Sequence, residues 1–377
     1  VWLPEFYTLG TGYPIHSPNF SHTMSQSKYA HSAADTGISN TPDLPAINWS
    51  LLGAKAPTLI NSEPNYLEAA DAVVIVYAEA EWAALEQVFC NSANPMPYSA
   101  RNTSYWEGWH EFKQDIPGGV KDWTYWFYYR LVEIEGKKVY LVKSNTHLDH
   151  PGEGYLEKMI QLMIDYIQPQ VILSTGTAGG AMVSDHIGTV NITNAGALYS
   201  AKEPHHEWPV YANDWRANLG TVHQDDFNQL LFPIPTTEQD LEALVTQFNT
   251  KYKTDFTLAD LNPGNVDMGA DKPGVHDFTP TSTPLCTSDS FVIATSAGNF
   301  NDYVCMEMDD AIVGKVCNNN KTPFGFVRNI SDPVQAAGIG FEHQKNWGGS
   351  LYSSYGFYTS YNSALVSWAL LYAAFRA

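Results

Sequence analysis

The stretch 171–180, VILSTGTAGG, decides how this chain folds. Four residues suited to a buried strand run straight into Gly176, Gly179 and Gly180, with small hydroxylated residues between them. The pattern predicts a strand ending in a loop whose backbone a ligand can approach closely. Ahead of it, Leu156, Met159, Ile160, Met163 and Ile167 recur at helical spacing, and Gln168-Pro169-Gln170 breaks the pattern. Behind it, Ile187-Gly188 leads into a second strand over 190–194. A helix delivered onto a strand places these glycines at the carboxyl end of a strand in an α/β sheet, where such sheets put their ligands. Glycines chosen only to pack a tight turn account for the same residues equally well.

Working outward, 72–76 (AVVIV) reads as the first buried strand, and Trp82, Leu85 and Phe89 follow at helical spacing. Glu79 and Glu81 open that helix, where acidic side chains meet the positive end of the macrodipole. Residues 91–124 read as an elaborated loop region. Residues 127–134 and 139–142 flank Glu135-Gly136-Lys137 as a hairpin. A long, mostly irregular stretch follows 194, broken by a helix whose apolar face is Leu241, Leu244, Val245, Phe248 and Tyr252, after the capping residues Thr236 and Thr237. It is too long for a plain connection, and such stretches form lids or binding loops. Regularity returns over 286–293, then as a strand over 303–306, a helix over 310–318 and a strand over 324–329 closing on Ile330-Ser331-Asp332. A last helix over 360–375 follows a Gly-Ser-Tyr loop.

Strands alternating with helices predict an α/β fold with a central mixed β-sheet flanked by helices on both faces. Residues 1–68 read as an irregular N-terminal arm with Trp2, Phe6, Tyr7, Trp49, Leu51 and Leu52 as apolar anchors. Residues 69–377 form one α/β domain carrying a large insertion at about 200–283.

The chain has 377 residues, of which 44% are hydrophobic, enough to bury a full core. Its 40 acidic and 20 basic residues give a formal net charge of −20, which repels nucleic acid and anionic membranes except at a local basic pocket. No apolar run approaches the roughly 20 residues of a membrane span. Cys90, Cys286, Cys305 and Cys317 show no C-x-x-C spacing and read as buried thiols. His147 and His150 flank Asp149, and His205-His206 make a second pair; neither matches a zinc motif, so no metal and no cofactor is expected. The chain starts at Val1 without an initiator methionine, which suggests a removed segment of unspecified kind. Six Asn-x-Ser/Thr sequences occur, but Asn191 and Asn329 fall in predicted strands, so chance is their better explanation.

Three carboxylates stand at or just after the ends of predicted strands: Glu81, Glu307 and Asp332. Cleavage of a glycosidic bond needs such a gathering, since an acid helps the leaving group depart, a base activates water, and acceptors fix the sugar hydroxyls. An acid at a helix start and another in a loop are also ordinary surface features.

Taken in chain order, AEAEW, VILSTGTAGG with IGTVNITNAG, SDSF at 288–291, VCMEMDDAIVGKVC at 304–317 and FVRNISD at 326–332 resemble the nucleoside phosphorylase and nucleosidase superfamily. Within it the chain is most similar to the methylthioadenosine/S-adenosylhomocysteine nucleosidase branch. The resemblance covers roughly 70–200 and 284–335. It implies that Asp332 is the general acid that protonates purine N7, and that Glu81 activates water. It implies that Met306 and Glu307 clamp the ribose, with Glu307 accepting from the 2′ and 3′ hydroxyls. Phe291 and the Val292 backbone take the base-stacking and base-reading positions, and Thr177 steadies the acid and the sugar. Ala178, Gly179 and Ser331 join the substrate-binding set. Asp309 and Asp310 replace small residues usual in the family, and SNTHLDHPGEG over 144–154 is unlike the family's glycine-rich loop.

The resemblance thus implies hydrolysis of the N-glycosidic bond of a purine nucleoside or a 5′-substituted adenosine. Family phosphorylases hold phosphate with an arginine ahead of the glycine loop and a Gly-Asp-Pro turn after the first strand. Here Ser174 and YAEAEW stand there, and acidic Glu79 and Glu81 would repel phosphate and suit water. Phosphorolysis stays open as an alternative, since Arg328, one of five arginines, lies near the acid. A non-catalytic nucleoside-binding or storage protein on the same fold is the third reading. The family also implies a homodimer, in keeping with an aromatic content of 13%, and a cytoplasmic location, with an extracytoplasmic one left open.

Overall fold

The computed structural model describes residues 38–148, 150–182, 185–200, 208–220, 224–261, 266–267, 273–288, 302–333 and 339–376. The first half runs β1 (Thr58–Ile60), β2 (Ala72–Val76), α1 (Glu79–Leu85), β3 (His110–Phe112), β4 (Phe127–Ile134), β5 (Lys137–Ser144) and α2 (Tyr155–Ile167). Then come β6 (Val171–Gly180), β7 (Asp185–His186), β8 (Val190–Thr193), β9 (Ala195–Tyr199), β10 (Val210–Ala212), α3 (Gln224–Leu230), α4 (Glu238–Tyr252), α5 (Leu258–Leu261) and β11 (Val266–Asp267). The chain finishes with β12 (Val275–Asp277), β13 (Leu285–Ser288), β14 (Cys305–Glu307), α6 (Asp310–Asn320), β15 (Phe324–Pro333) and α7 (Phe341–Arg376).

Thirteen described strands make one mixed sheet, and β6 is its hub. The two all-apolar segments lie side by side, Val73 opposite Ile172, in the parallel pair β2 and β6. The strands β5 and β2 pair in parallel, and β15 runs parallel along the other side of β6. The order β5-β2-β6-β15 is therefore a parallel core whose carboxyl ends share one edge. Both faces are covered, α2 packing with α6 and α1 with α7. Such parallel strands read as continuous apolar runs because neither face meets water, and Ala72–Val76 is buried throughout.

Two expectations change. The glycines of 176–180 do not leave the sheet: β6 continues to Gly180 because β15 stays paired with it through Pro333, while β14 takes its other edge at Gly179 and Gly180. Backbone groups with partners on both sides have no reason to turn away. The last helix begins at Phe341, so the Gly-Ser-Tyr stretch is helical, not a loop. Glycine and serine lower helix propensity, but here Trp347, Leu351, Tyr355 and Tyr358 are buried and packing overrides it. Ser350, Ser353 and Ser354 return their hydroxyls to carbonyls four residues back, at 2.8–2.9 Å, so these three hydroxyls are satisfied within the helix. From Ser354 to Ala373 α7 is buried on every side, with Trp49 against Trp368 and Tyr98 and Phe232 against Tyr358.

Smaller shifts concern element ends. The strand expected over 303–306 spans Cys305–Glu307, and of 286–293 only the part in β13 lies within the described residues. Residues 58–60, in the stretch read as irregular, pair with β4 as an edge strand. Cys286, Cys305 and Cys317 are buried thiols and Cys90 is partly buried. No described helix is long and apolar enough to cross a membrane.

The region after residue 208 is fastened to the core by Trp215, which lies on Gly325. A Cβ on Gly325 would stand 2.7 Å from Trp215 Cε3 and Cη2. Gly325→Ala should therefore cost about 1–3 kcal/mol, read as a lower urea midpoint at constant m. An unchanged midpoint would mean that Trp215 is not held on the strand.

Candidate active site

The carboxyl ends of β2, β5, β6 and β15 bring together most of the residues singled out above. Glu81 lies in the first turn of α1 and turns back toward the strand ends. Its Oε2 accepts from the Tyr77 and Ala78 amides, both at 2.8 Å. Its Oε1 accepts from the Thr177 amide at 2.7 Å and from Thr177 Oγ1 at 2.8 Å. Four donors thus meet a carboxylate that is 3% exposed, and these fill the roughly four lone-pair positions it has. Gly176 is required beside it, because a Cβ there would lie 2.6 Å from Glu81 Oε1 and 2.8 Å from Arg328 Nη1.

Arg328 on β15 is buried behind this pair. Its Nε donates to Asp310 Oδ2 at 2.7 Å, its Nη2 also meets Asp310 Oδ1, and Nη2 lies 3.2 Å from Glu307 Oε2. Further contacts reach Ser174 Oγ at 3.2 Å and the Thr177 carbonyl at 3.3 Å. Glu307 is equally engaged: it accepts from the Asp309 amide at 2.5 Å, the Asp310 amide at 3.0 Å and the Thr287 hydroxyl. Burial and the neighbouring Asp310 push its pKa up, against the pull of Arg328. Asp310 is raised by burial too, with Arg328 opposing. Glu307 therefore caps α6 and balances Arg328: three donors crowd its Oε2, while its Oε1 takes only the Thr287 hydroxyl and keeps a single acceptor position for a sugar hydroxyl.

Asp309, which the sequence reading treated only as a departure from the family, is better placed for that. It accepts from the Leu148 amide at 3.0 Å and meets His147 Nδ1 at 3.1 Å, leaving two lone-pair positions. Burial works against a charged His147, but the Asp309 carboxylate outweighs it and raises the His147 pKa above its ordinary value. The His147 side chain is about a third open, at 30% exposure, and its ring lies 5.7 Å from that of Tyr77.

Asp332 stands opposite Gly179, and Gly179 stands opposite Met306 on its other side. Partners in register share a face, so the acid and Met306 flank the glycine on one side of the sheet. Burial pushes Asp332 up to about 6, although Ser331 Oγ donates to its Oδ1 at 2.6 Å and favours the anion. The same hydroxyl lies 3.4 Å from the Ala178 carbonyl. Phe291, Val292, Asp149, His205 and His206 lie outside the described residues. Among the described residues no group of His, Cys, Asp and Glu is arranged to hold a metal. Asp309, His147, Tyr77 and Lys143 were missed as site residues; the one available signal was the polar pair Asp309-Asp310 opening an otherwise apolar helix.

No protein-family model matches the chain. It is similar to the 5′-methylthioadenosine/S-adenosylhomocysteine nucleosidase of Bacillus subtilis (strain 168), 27% identical over 207 residues covering 53% of this chain and 70% of the relative. The protein of the same name from Halalkalibacterium halodurans is 28% identical over 206 residues, 53% of this chain and 69% of its own. Among solved structures, the nucleosidase of that name from Neisseria meningitidis, in complex with methylthio-immucillin-A, aligns with a TM-score of 0.43 at 15% identity, over 80% of this chain and 99% of that one.

Asp332 carries a pH signature. Its folded pKa of about 6 lies above the roughly 3.9 of an unfolded aspartate. The stability it contributes is thus present at low pH and lost as pH rises through 6. Between about pH 4 and 7 the wild type should lose about 2–3 kcal/mol relative to Asp332→Asn, measured by urea unfolding. Parallel stability curves would show that Asp332 is not a buried acid.

Proposed function

The chain belongs to the nucleoside phosphorylase and nucleosidase superfamily, and on that premise we propose that it hydrolyses the N-glycosidic bond of a 5′-substituted adenosine, releasing free adenine and the sugar. One observation carries this reading. Two carboxyl groups are carried by elements on either side of β6 in different settings, Asp332 on β15 pushed toward its neutral form by burial and Glu81 on α1 receiving four hydrogen bonds as an acceptor. An acid kept buried and a carboxylate held ready as an acceptor are the two groups that acid-base cleavage of this bond needs.

In this reading Asp332 gives its proton to purine N7 as the bond from C1′ to the base breaks and its electron pair passes to the purine. The water oxygen bonds to C1′ and loses a proton toward Glu81, and both carboxyl groups then re-equilibrate with solvent. Positive charge building on the sugar is stabilised by Glu81 and Asp309. Met306, Ala178 and Gly179 line the sugar and base between them. In this reading the hydroxyl-accepting role implied for Glu307 falls mainly to Asp309, which has two lone-pair positions to offer against one on Glu307. Phosphorolysis is disfavoured since Arg328, four residues ahead of the acid on β15, is already paired with Asp310 and Glu307.

Asp332→Asn should lower kcat by ~10² to 10⁴-fold with a much smaller change in KM, because the hydrogen bond to N7 strengthens as the purine departs. Adenine release from 5′-methylthioadenosine, followed chromatographically with and without phosphate, is the assay. Near wild-type turnover by folded Asp332→Asn would remove the acid assignment, strict phosphate dependence would favour the phosphorylase, and binding without release would favour a storage protein. A second pair of variants separates the two candidate clamps. Asp309→Asn should raise KM by roughly 10-fold, the size of a charge-assisted hydrogen bond, whereas Glu307→Gln should chiefly lower the melting temperature. The reverse pattern would return the clamp to Glu307.

A further inference from the structure

Asp309 is held in place without help from its own helix. It stands just ahead of α6, but its side chain bonds none of the helix amides, because Glu307 takes the Asp309 and Asp310 amides instead. Both Asp309 oxygens are held from the loop after β5, Oδ1 by the Leu148 amide at 3.0 Å and Oδ2 by His147 Nδ1 at 3.1 Å. One donor on each oxygen sets the plane of a carboxylate that is 4% exposed and leaves a lone-pair position on each. The loop is itself well fastened. His147 and His150 exchange backbone hydrogen bonds at 2.9 and 3.2 Å. The buried Ser144 hydroxyl donates to the Thr146 carbonyl at 2.7 Å and accepts from the Thr146 amide at 2.9 Å, and both hydroxyls lie on the sulfur of Met159 in α2. His147 therefore presents Nδ1 to Asp309 from a fixed backbone.

A ring nitrogen that faces a carboxylate carries a hydrogen, so the open variable is whether the ring also carries a charge. That charge matters because Arg328 is already committed to Asp310 and Glu307. Among the described residues, His147 is the cation that closes an ion pair on Asp309. Three elements besides the loop face the ring. Asp309 at the start of α6 and Glu81 on α1 favour its charge, Lys143 on β5 opposes it, and Tyr77, just after β2, lays its ring alongside. Burial also opposes the charge, but Asp309 outweighs it, and the imidazolium persists above its ordinary pH range.

We propose that His147 is a positioning residue, its charged ring holding the Asp309 carboxylate in the orientation that accepts a sugar hydroxyl. This deepens the nucleosidase reading and rests on it for the ligand. While the ring is charged the contact is a charge-assisted hydrogen bond, about twice as strong as a neutral one. Once the ring is neutral, Asp309 is a buried anion with no cation of its own and is less firmly held. The charge is present below the raised pKa and lost as pH rises through it, so affinity for the sugar should fall on the alkaline side.

The probe is 5′-methylthioadenosine. Its binding is measured by calorimetry across the neutral range in Asp332→Asn protein, where the ligand survives and the Asp332 ionisation is removed, and kcat and KM are measured with Asp332 intact. Affinity should weaken by about 10-fold as His147 loses its charge, with KM rising by the same factor and kcat little changed. His147→Phe should bind weakly at every pH. His147→Asn keeps an amide donor near the place of Nδ1 but never the charge, so it should restore part of the affinity and show no alkaline loss. Glu307 is also pushed up by burial, but a step belonging to Glu307 would survive in both His147 variants. Adding Asp309→Asn to His147→Phe should cost nothing further, because a residue that acts through another has no effect once that other is gone. Losses that multiply, an affinity flat with pH, or an alkaline loss that persists in His147→Asn would each overturn the proposal. If His147→Phe does not fold, His147→Asn and its double variant with Asp309→Asn read the same coupling. Binding with the His147-dependent pH step but no base release would keep the positioning role and sink the hydrolysis. Base release with a KM flat in pH would do the reverse, and no binding at any pH would sink both.

Discussion

The Arg328 guanidinium, taken out of water between Asp310 and Glu307, is the interaction on which the site depends. It ties β15 to the start of α6, to the end of β14 and, through Ser174 and the Thr177 carbonyl, to β6. Desolvating these three charges gains little net stability over an apolar replacement, but removing one partner would strand the others at a cost of about 3–5 kcal/mol. The cluster is thus better at specifying an arrangement than at stabilising the fold. What it specifies is the approach of β15 to β6, and with it the level at which Asp332 stands opposite Gly179. Gly176 belongs to the same constraint, since no side chain fits between the guanidinium and the Glu81 carboxylate.

Where one physical signal dominated, the sequence was readable. β2 and β6 are buried on both faces, so their apolar runs had no competing explanation, and the Glu135-Gly136 turn adopts the positive φ angles that join β4 to β5. α2 showed its periodicity because one face meets α6 and the other meets water. α7 has no such asymmetry, so no periodic signal marked its first half, and its serines and glycines read as a loop until the aromatic rings surrounding it are known. The glycine-rich end of β6 misled for a related reason. Local composition favours a turn, while the pairing that keeps the segment extended comes from β14 and β15, more than a hundred residues later.

The site was legible to the level of which segments meet, and less so in which atom faces where. Glu81 and Thr177 are hydrogen-bonded to each other, and Asp332 stands opposite Gly179 on the neighbouring strand. Glu307 and Asp309 are two residues apart at the junction of a strand with a helix, and a sequence motif cannot say which carboxylate caps the helix and which faces the loop. The Asp309 and Asp310 amides decide it, both bonding Glu307 Oε2 and drawing that side chain inward. His147 and Lys143 were harder still, because each acquires meaning only from partners on another element.

The saturation of Glu81 bears on how water can be activated. A carboxylate that accepts from four donors has no lone pair open to a water unless one donor is released. Three of the four are backbone amides fixed by the β2-to-α1 turn and by β6. The fourth is the Thr177 hydroxyl, which can rotate its hydrogen toward a different acceptor without moving the backbone. Water approaching C1′ from this side would then bond the lone pair that Thr177 vacates, and Thr177 would gate the base as well as position it. A serine at 177 keeps the rotor, whereas valine keeps the shape and removes both the donor and the gate. If Glu81 is the base of the proposed hydrolysis, the hydroxyl of Thr177, and not the carboxylate alone, sets when it can act.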